Sequence, residues 1–270
     1  MDITRPSGFV SYDSILLTHA EPVRRAFVLF HGLTASPRQF ESFGRLLFER
    51  GANVFIPRLP HHGYGDRLTA ALRDLTADEL RAFADRSYER GARLASDVRV
   101  VGFSVGGLLA AWLGQHRPVA LATAIAPFLG VAWVPHRLTA RFARYVLKLP
   151  NRFVWWDPVL RERQGHEHGY PRFATHAVAE AAQLGQELLR DAASRRPAAR
   201  GVQIVLNASE SAVSNAAARA LARSWLRTTR QRIVLHRVRG LPSSHDFIEP
   251  LDNPETVRRV YPALAALVDR

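Results

Sequence analysis

A serine stands between two glycines in Gly102-Phe103-Ser104-Val105-Gly106, where the run Val98-Arg99-Val100-Val101 gives way to the small-residue stretch Gly106-Gly107-Leu108-Leu109-Ala110. A strand that reverses this tightly into a helix strains the backbone at the serine and lifts its hydroxyl above the end of the sheet. Glycine at 102 and 106 keeps side chains out of the gap where strand and helix nearly touch. The helix N-terminus behind the hydroxyl favours negative charge as it develops. The pattern therefore predicts attack by an activated serine oxygen on a carbonyl carbon.

A serine hydroxyl is a weak nucleophile until a base takes its proton. The base in turn needs an acid to fix its tautomer and stabilise its charged form. These groups come from loops at the carboxyl ends of later strands, in the order serine, acid, histidine. His245, in Ser243-Ser244-His245-Asp246-Phe247, lies past the last strand-like run and before the final helix. Glu210 is the only carboxylate in Asn207-Ala208-Ser209-Glu210-Ser211-Ala212-Val213, the loop after the preceding strand. Asp246 is a poorer partner, because successive side chains diverge. His236, inside a strand pattern, and His116, at a helix end, read as structural. The oxyanion needs two backbone donors. Val105 supplies one, and Leu33, after His31-Gly32 at the end of an earlier strand, supplies the other. His31 braces that loop.

The elements that must position these groups are legible as an alternation. Strand-like runs fall at 15–18, 26–30, 53–57, 98–103, 119–125, 202–206 and 232–236. Helical patterns follow Ser36-Pro37 and cover 76–91, 175–194, 214–228 and the chain from 254. Ser36 offers an N-cap and Pro37 a first helical position. Short apolar runs alternating with helices predict an α/β architecture with a mostly parallel central sheet and helices on both faces. Residues 127–173 break the rhythm with many aromatics and with prolines at 127, 135, 150, 158 and 171. The expected division is a core of 1–126 and 174–270, with 127–173 as a mobile cap over the sheet's active end. Trp133, Phe142, Trp155 and Trp156 of the cap are the expected substrate pocket, suited to an apolar acyl chain.

Two histidine pairs invite a metal reading. Adjacent His61 and His62 point different ways in a Gly- and Pro-rich loop and read as turn structure. His166 and His168 resemble a small clip, but no further ligand accompanies them nearby in the chain, so no metal and no cofactor are expected. Within the cap, Leu138, Phe142, Tyr145 and Leu149 fall at helical spacing beside the basic stripe Arg137, Arg141, Arg144 and Lys148. Two readings stay open for that helix: an apolar face packed down with the basic face in water, or an interfacial helix that meets anionic lipid.

With 270 residues, 47% of them hydrophobic, the chain is long enough to bury a large core. It has no cysteine, which excludes disulfides and thiolate metal sites. Its net charge of +13 comes almost wholly from arginine, Lys148 being the one lysine among 37 basic residues. The arginines are scattered, and no nucleic-acid module accompanies them, so nucleic acid is not an expected partner. Met1 to Ser14 show no signal-like apolar region, and no run approaches a membrane span. The expected setting is the cytoplasm.

Together these residues resemble the α/β-hydrolase superfamily, and within it the bacterial carboxylesterase and monoacylglycerol-lipase group. The matching stretches are His31-Gly32-Leu33-Thr34, Pro60-His61-His62-Gly63, Gly102-Phe103-Ser104-Val105-Gly106-Gly107, Glu210-Ser211-Ala212-Val213 and Ser244-His245-Asp246-Phe247-Ile248. The resemblance implies an α/β-hydrolase fold with a small helical cap. It also implies Ser104 as nucleophile, His245 as base and the Leu33 and Val105 amides as oxyanion hole. The chain departs from that group at the acid, where Asp is usual and Glu210 stands. The expected activity is cofactor-independent cleavage of a short, medium or monoacylglycerol-like carboxylic ester. A thioesterase, acyltransferase or carbon–carbon hydrolase on the same groups stays open, as does a binding protein with a vestigial site.

Overall fold

Apolar runs that are buried on both faces must find neighbours on both sides, and here they do so in one sheet. A computed structural model describes residues 11–229 and 231–269; the reading of the N-terminus as free of a signal falls largely on residues 1–10, outside them. The sheet comprises β1 (Ile15–Leu17), β2 (Arg25–Phe30), β3 (Asn53–Ile56), β4 (Asp97–Phe103), β5 (Leu121–Ile125), β8 (Gly201–Asn207) and β9 (Arg232–Val238), in the order β1-β3-β2-β4-β5-β8-β9. Only β1 runs antiparallel to its neighbour; every other pairing is parallel.

Helices cover both faces. On one lie α1 (Glu41–Glu49) and α7 (Pro254–Val268), which touch each other. On the other lie α2 (Ala77–Ala92), α3 (Val105–His116), α5 (Thr175–Ser194) and α6 (Asn215–Thr228). Neighbouring residues of β2 show the two faces directly, since Gly44 of α1 packs on Leu29 and Gly91 of α2 packs on Val28. The α3 helix at the centre is apolar all round, with Val105 to Gln115 buried, as a helix enclosed by sheet and neighbours must be. Among the described residues, no helix is long and apolar enough to cross a membrane.

The predicted boundaries hold with small shifts. The helix after Ser36-Pro37 opens as a 3₁₀ turn over Pro37–Phe40 before α1, and the run at 119–125 enters the sheet only at Leu121. The segment between β5 and α5 differs more. In place of a mainly helical cap it has one short helix, α4 (Thr139–Val146), and an antiparallel ribbon of β6 (Phe153–Trp155) and β7 (Arg172–Ala174). Pro150, Pro158 and Pro171 interrupt any longer helix, while Phe153-Val154-Trp155 suits a half-buried strand. The orientation of α4 also corrects the packed-down reading of its apolar stripe. Its small residues Thr139 and Ala143 are the buried ones, on the side that meets α5, and Leu138, Tyr145 and Leu149 face solvent.

Candidate active site

Ser104 sits at the turn from β4 into α3 with φ 56° and ψ −116°, in the left-handed region that non-glycine residues rarely occupy. Its surroundings leave no alternative. A Cβ on Gly102 would lie 1.9 Å from the Gly106 carbonyl oxygen, and one on Gly106 would lie 2.0 Å from that of Phe30. The Ser104 N–H donates to Ile125 O at 3.0 Å, and its own carbonyl accepts from Leu108 and Phe128, each at 2.9 Å. The serine is thereby pinned to β5 and to the start of the insertion that follows it.

The loop after β9 carries His245 over this serine. His245 Nε2 lies 2.8 Å from Ser104 Oγ, and its Nδ1 lies 3.0 Å from Glu210 Oε2. The imidazole rests on Phe103, with ring centroids 4.8 Å apart. Glu210 comes from the loop after β8, and its side chain has no solvent exposure. Its second oxygen, Oε1, accepts the N–H groups of Ala212 at 2.8 Å and Val213 at 3.3 Å. Burial alone would raise the Glu210 pKa. The His245 contact and the two backbone donors outweigh it, leaving the pKa below the ordinary value, so the group is an anion facing the ring.

Leu33 and Val105 both border the cavity above Ser104. The loop that presents Leu33 is braced by two neutral histidines. His31 Nε2 accepts the Leu59 N–H at 3.1 Å, so its Nδ1, 2.9 Å from Gly32 O, carries the proton. His62 Nε2 accepts the Thr34 N–H at 3.2 Å while Nδ1 donates to Pro60 O at 2.7 Å. Burial holds His31 well below its usual pKa and brings His62 down to about 4, which keeps both acceptor nitrogens bare. The structural reading of His31 and His62 from the sequence matches these bonds. His236 and His116 contact Gln203 and Asp191 instead, at 3.0 and 3.3 Å.

A family model described as serine aminopeptidase, S33, matches residues 21–265. The chain belongs to this family. As an S33 α/β-hydrolase it has structural relatives that cover nearly all of it. One is a lipolytic enzyme from a study of the metagenome-derived LipS and LipT, with a TM-score of 0.71, 15% identity, and 96% of this chain and 98% of that one covered. Another is the monoacylglycerol lipase of Paleococcus ferrophilus, with a TM-score of 0.71, 16% identity and coverage of 94% and 97%. A soluble variant of the monoglyceride lipase of Saccharomyces cerevisiae aligns with a TM-score of 0.71, 12% identity and coverage of 95% and 91%. Likeness at such identities speaks to the fold. No curated protein sequence matches the chain significantly.

The cavity of this S33 hydrolase has a volume of about 570 Å³ and an apolar wall that includes Phe128, Val131, Trp156, Phe173 and Val178. Of the four aromatics expected to line it, only Trp156 does. Trp155 is its chain neighbour in an extended segment and points the other way, under the Arg172 guanidinium. Trp133 is 71% exposed and packs edge-on against Phe142, away from the cavity. Trp156 Nε1 donates to Thr34 Oγ1 at 2.9 Å, and Tyr170 N donates to Thr34 O at 2.7 Å, so the insertion is stitched to the Leu33 loop.

Sequence reasoning missed two residues of the site. Gln39 Oε1 accepts the Gly32 N–H at 2.9 Å, and its Nε2 donates to Asp246 Oδ2 at 2.6 Å. Gln39 falls one turn past the Ser36 cap, but its partners are too distant in sequence for any local signal to mark it. The second is Glu249, which the fold brings beside His166 and His168 at the edge of the cavity.

Proposed function

We propose that this S33 α/β-hydrolase is a serine hydrolase of carboxylic esters that works without a cofactor. The observation that carries the reading is the continuous relay from Ser104 Oγ through His245 to Glu210, at 2.8 and 3.0 Å. In this mechanism Ser104 Oγ attacks the ester carbonyl carbon as its proton passes to His245 Nε2. Glu210 holds the Nδ1 proton and stabilises the imidazolium. The Leu33 and Val105 amides receive the oxyanion. The carbonyl–alkoxy bond then breaks, the alcohol departs with the proton from His245, and an acyl-enzyme remains. Water, deprotonated by His245, attacks that acyl group, and the carboxylic acid leaves as Ser104 regains its proton.

The apolar cavity wall suits an acyl chain of short to medium length, held with little polar recognition. We also propose a weak contact with anionic lipid surfaces, and a cytoplasmic setting for the reaction. The lipid contact draws on the outward-facing Leu138, Tyr145 and Leu149 beside Arg137, Arg141, Arg144 and Lys148.

The test is hydrolysis of p-nitrophenyl esters from acetate to palmitate by the wild type and Ser104→Ala, alongside a thioester, an aminoacyl p-nitroanilide and a fluorophosphonate probe. The expected result is turnover that peaks at one acyl length, with turnover and probe labelling both lost in the variant. Faster turnover of the thioester or the anilide would move the assignment to that class. Absence of probe labelling in the wild type would overturn the serine mechanism.

A further inference from the structure

Where the insertion meets the core, His166 and His168 rise from the strap between the 3₁₀ turn Arg161–Arg163 and β7, and Glu249 descends from the loop that carries His245. One ligand atom from each of the three lies within 4.8 Å of the others. His166 Nε2 is 3.4 Å from Glu249 Oε2, and His168 Nε2 is 3.6 Å from Glu249 Oε1. Asp252 Oδ2 approaches His166 Nε2 at 3.9 Å. The histidine side chains are 9% and 6% exposed and that of Glu249 is 1% exposed.

These separations exceed the about 2.7–2.9 Å of a closed charge-assisted hydrogen bond. They also match the spacing of ligands around an ion. Two donors about 2.0–2.1 Å from a tetrahedral metal stand about 3.4 Å apart. The polar atoms are also left without better partners: His166 Nδ1 and Glu249 Oε2 are buried and make no hydrogen bond. A buried carboxylate oxygen in that condition is costly unless a cation meets it. His168 has the outer contact expected of a ligand, since its Nδ1 lies 3.1 Å from Ser36 Oγ, which can hold the ring with Nε2 turned to Glu249. His166 and Asp252 both border the cavity, which gives an ion a way in.

We propose that His166, His168 and Glu249, with Asp252 as the fourth donor, form a binding site for a divalent transition-metal cation of the zinc type. Two imidazoles with one or two carboxylates is a donor set such ions take in tetrahedral geometry. The ion is structural in this position. It clamps the strap to the loop that carries His245, and Ser104, His245 and Glu210 need no metal for their own chemistry. Arg67 already secures the same strap by bonding the Glu162, Gln164 and Gly169 carbonyls, so the clamp adds to a fold that forms without it.

The experiment uses the full-length, tag-free chain, stripped with chelator and titrated with zinc against a chromophoric competitor, with cobalt as a spectroscopic substitute. The expected result is one zinc per chain, a higher melting temperature with zinc, and cobalt d–d bands of tetrahedral intensity. His166→Gln combined with His168→Gln should abolish all three, with circular dichroism reporting a folded chain. If the double variant fails to fold, Asp252→Asn at the half-exposed fourth position should lower zinc affinity by at least about tenfold. Zinc uptake that is absent in the wild type, or unchanged in a folded ligand variant, overturns the proposal.

Discussion

Gln39 and Asp246, 207 positions apart, are joined by a 2.6 Å hydrogen bond that ties the two loops flanking Ser104 to one another. Gln39 holds the Gly32 amide with its other end, so the loop presenting Leu33 and the loop presenting His245 share one buried side chain. Asp246 is turned toward Gln39 and the Ile248 and Glu249 amides, away from the ring of its neighbour. That orientation suits Asp246 to positioning, with Glu210 at 3.0 Å from His245 as the proposed triad carboxylate.

That relationship predicts a residue acting at one remove. Gln39→Met keeps the volume but loses both hydrogen bonds, freeing the Leu33 amide from its register with Ser104. The kcat for a p-nitrophenyl ester should fall about 10- to 100-fold, the scale set by small misplacements of reacting groups. KM should change little, and melting should show a folded protein. A fall confined to KM would reject the positioning role.

The proposed relay predicts an ordered series of losses. Ser104→Ala and His245→Ala should each lower kcat by at least about 10³-fold, and the double variant should be scarcely worse, because the groups act as a unit. Glu210→Gln should cost less, since the amide can still face His245 but brings no charge. Glu210→Asp is one methylene shorter and cannot both reach the ring and keep the Ala212 and Val213 amides. Single-turnover acylation rates read the series. A silent Glu210→Gln would show that the acid is elsewhere.

What the chain made legible from its sequence depended on how local each signal is. The elbow at Ser104 is written in five consecutive residues because the steric demand lies within one turn. The Leu33 loop and the order of Glu210 and His245 follow from the strand alternation. Glu210 was readable as the lone carboxylate of its loop even though Asp is usual there, and the fold gives it the reach to His245. Gln39 was not readable, because its meaning comes from partners on other loops, and Glu249 met His166 and His168 only through the docking of the insertion. The aromatics of that insertion misled because composition does not say which way a ring faces. Trp133 and Trp155 have the composition of a pocket, but chain direction at the ribbon turns only Trp156 inward.

Acid should weaken the fold through the histidines that brace the Leu33 loop. His62 has a folded pKa of about 4 against an ordinary 6.5, so below pH 6.5 the unfolded chain binds a proton that the native protein refuses. Stability is then lost as pH falls from 6.5 toward 4, and is restored as pH rises. Burial is the main cause; His61 and Arg58 add repulsion and the Pro60 carbonyl opposes them. Between pH 7 and 5 the His62 share is about 2 kcal/mol, and His31, also depressed, acts in the same direction. Urea unfolding at the two pH values should show the loss, and His62→Gln should flatten it by the His62 share. An unaltered slope in that variant would exclude this residue as the source.

The outward face of α4 carries exposed apolar residues beside a basic stripe. Tyr145 is 61% exposed and Trp133 71%, and Val159 in the same insertion is 81% exposed. Packing does not require such residues to face water, and the basic side chains beside them supply attraction to anionic headgroups. The protein should therefore sediment with phosphatidylglycerol vesicles at low ionic strength and dissociate as salt is raised through about 0.15 M, where the screening length falls to about 8 Å. Arg141→Glu with Arg144→Glu should abolish binding at low salt. Tyr145→Ser should weaken it without changing the salt dependence, because it removes apolar contact and leaves the charge. The same charge-reversal variant should retain its turnover of soluble p-nitrophenyl acetate, whose path to Ser104 does not cross the outer face of α4. Vesicle binding that is absent at low salt, or retained in the charge-reversal variant, would leave the outward apolar residues without this role.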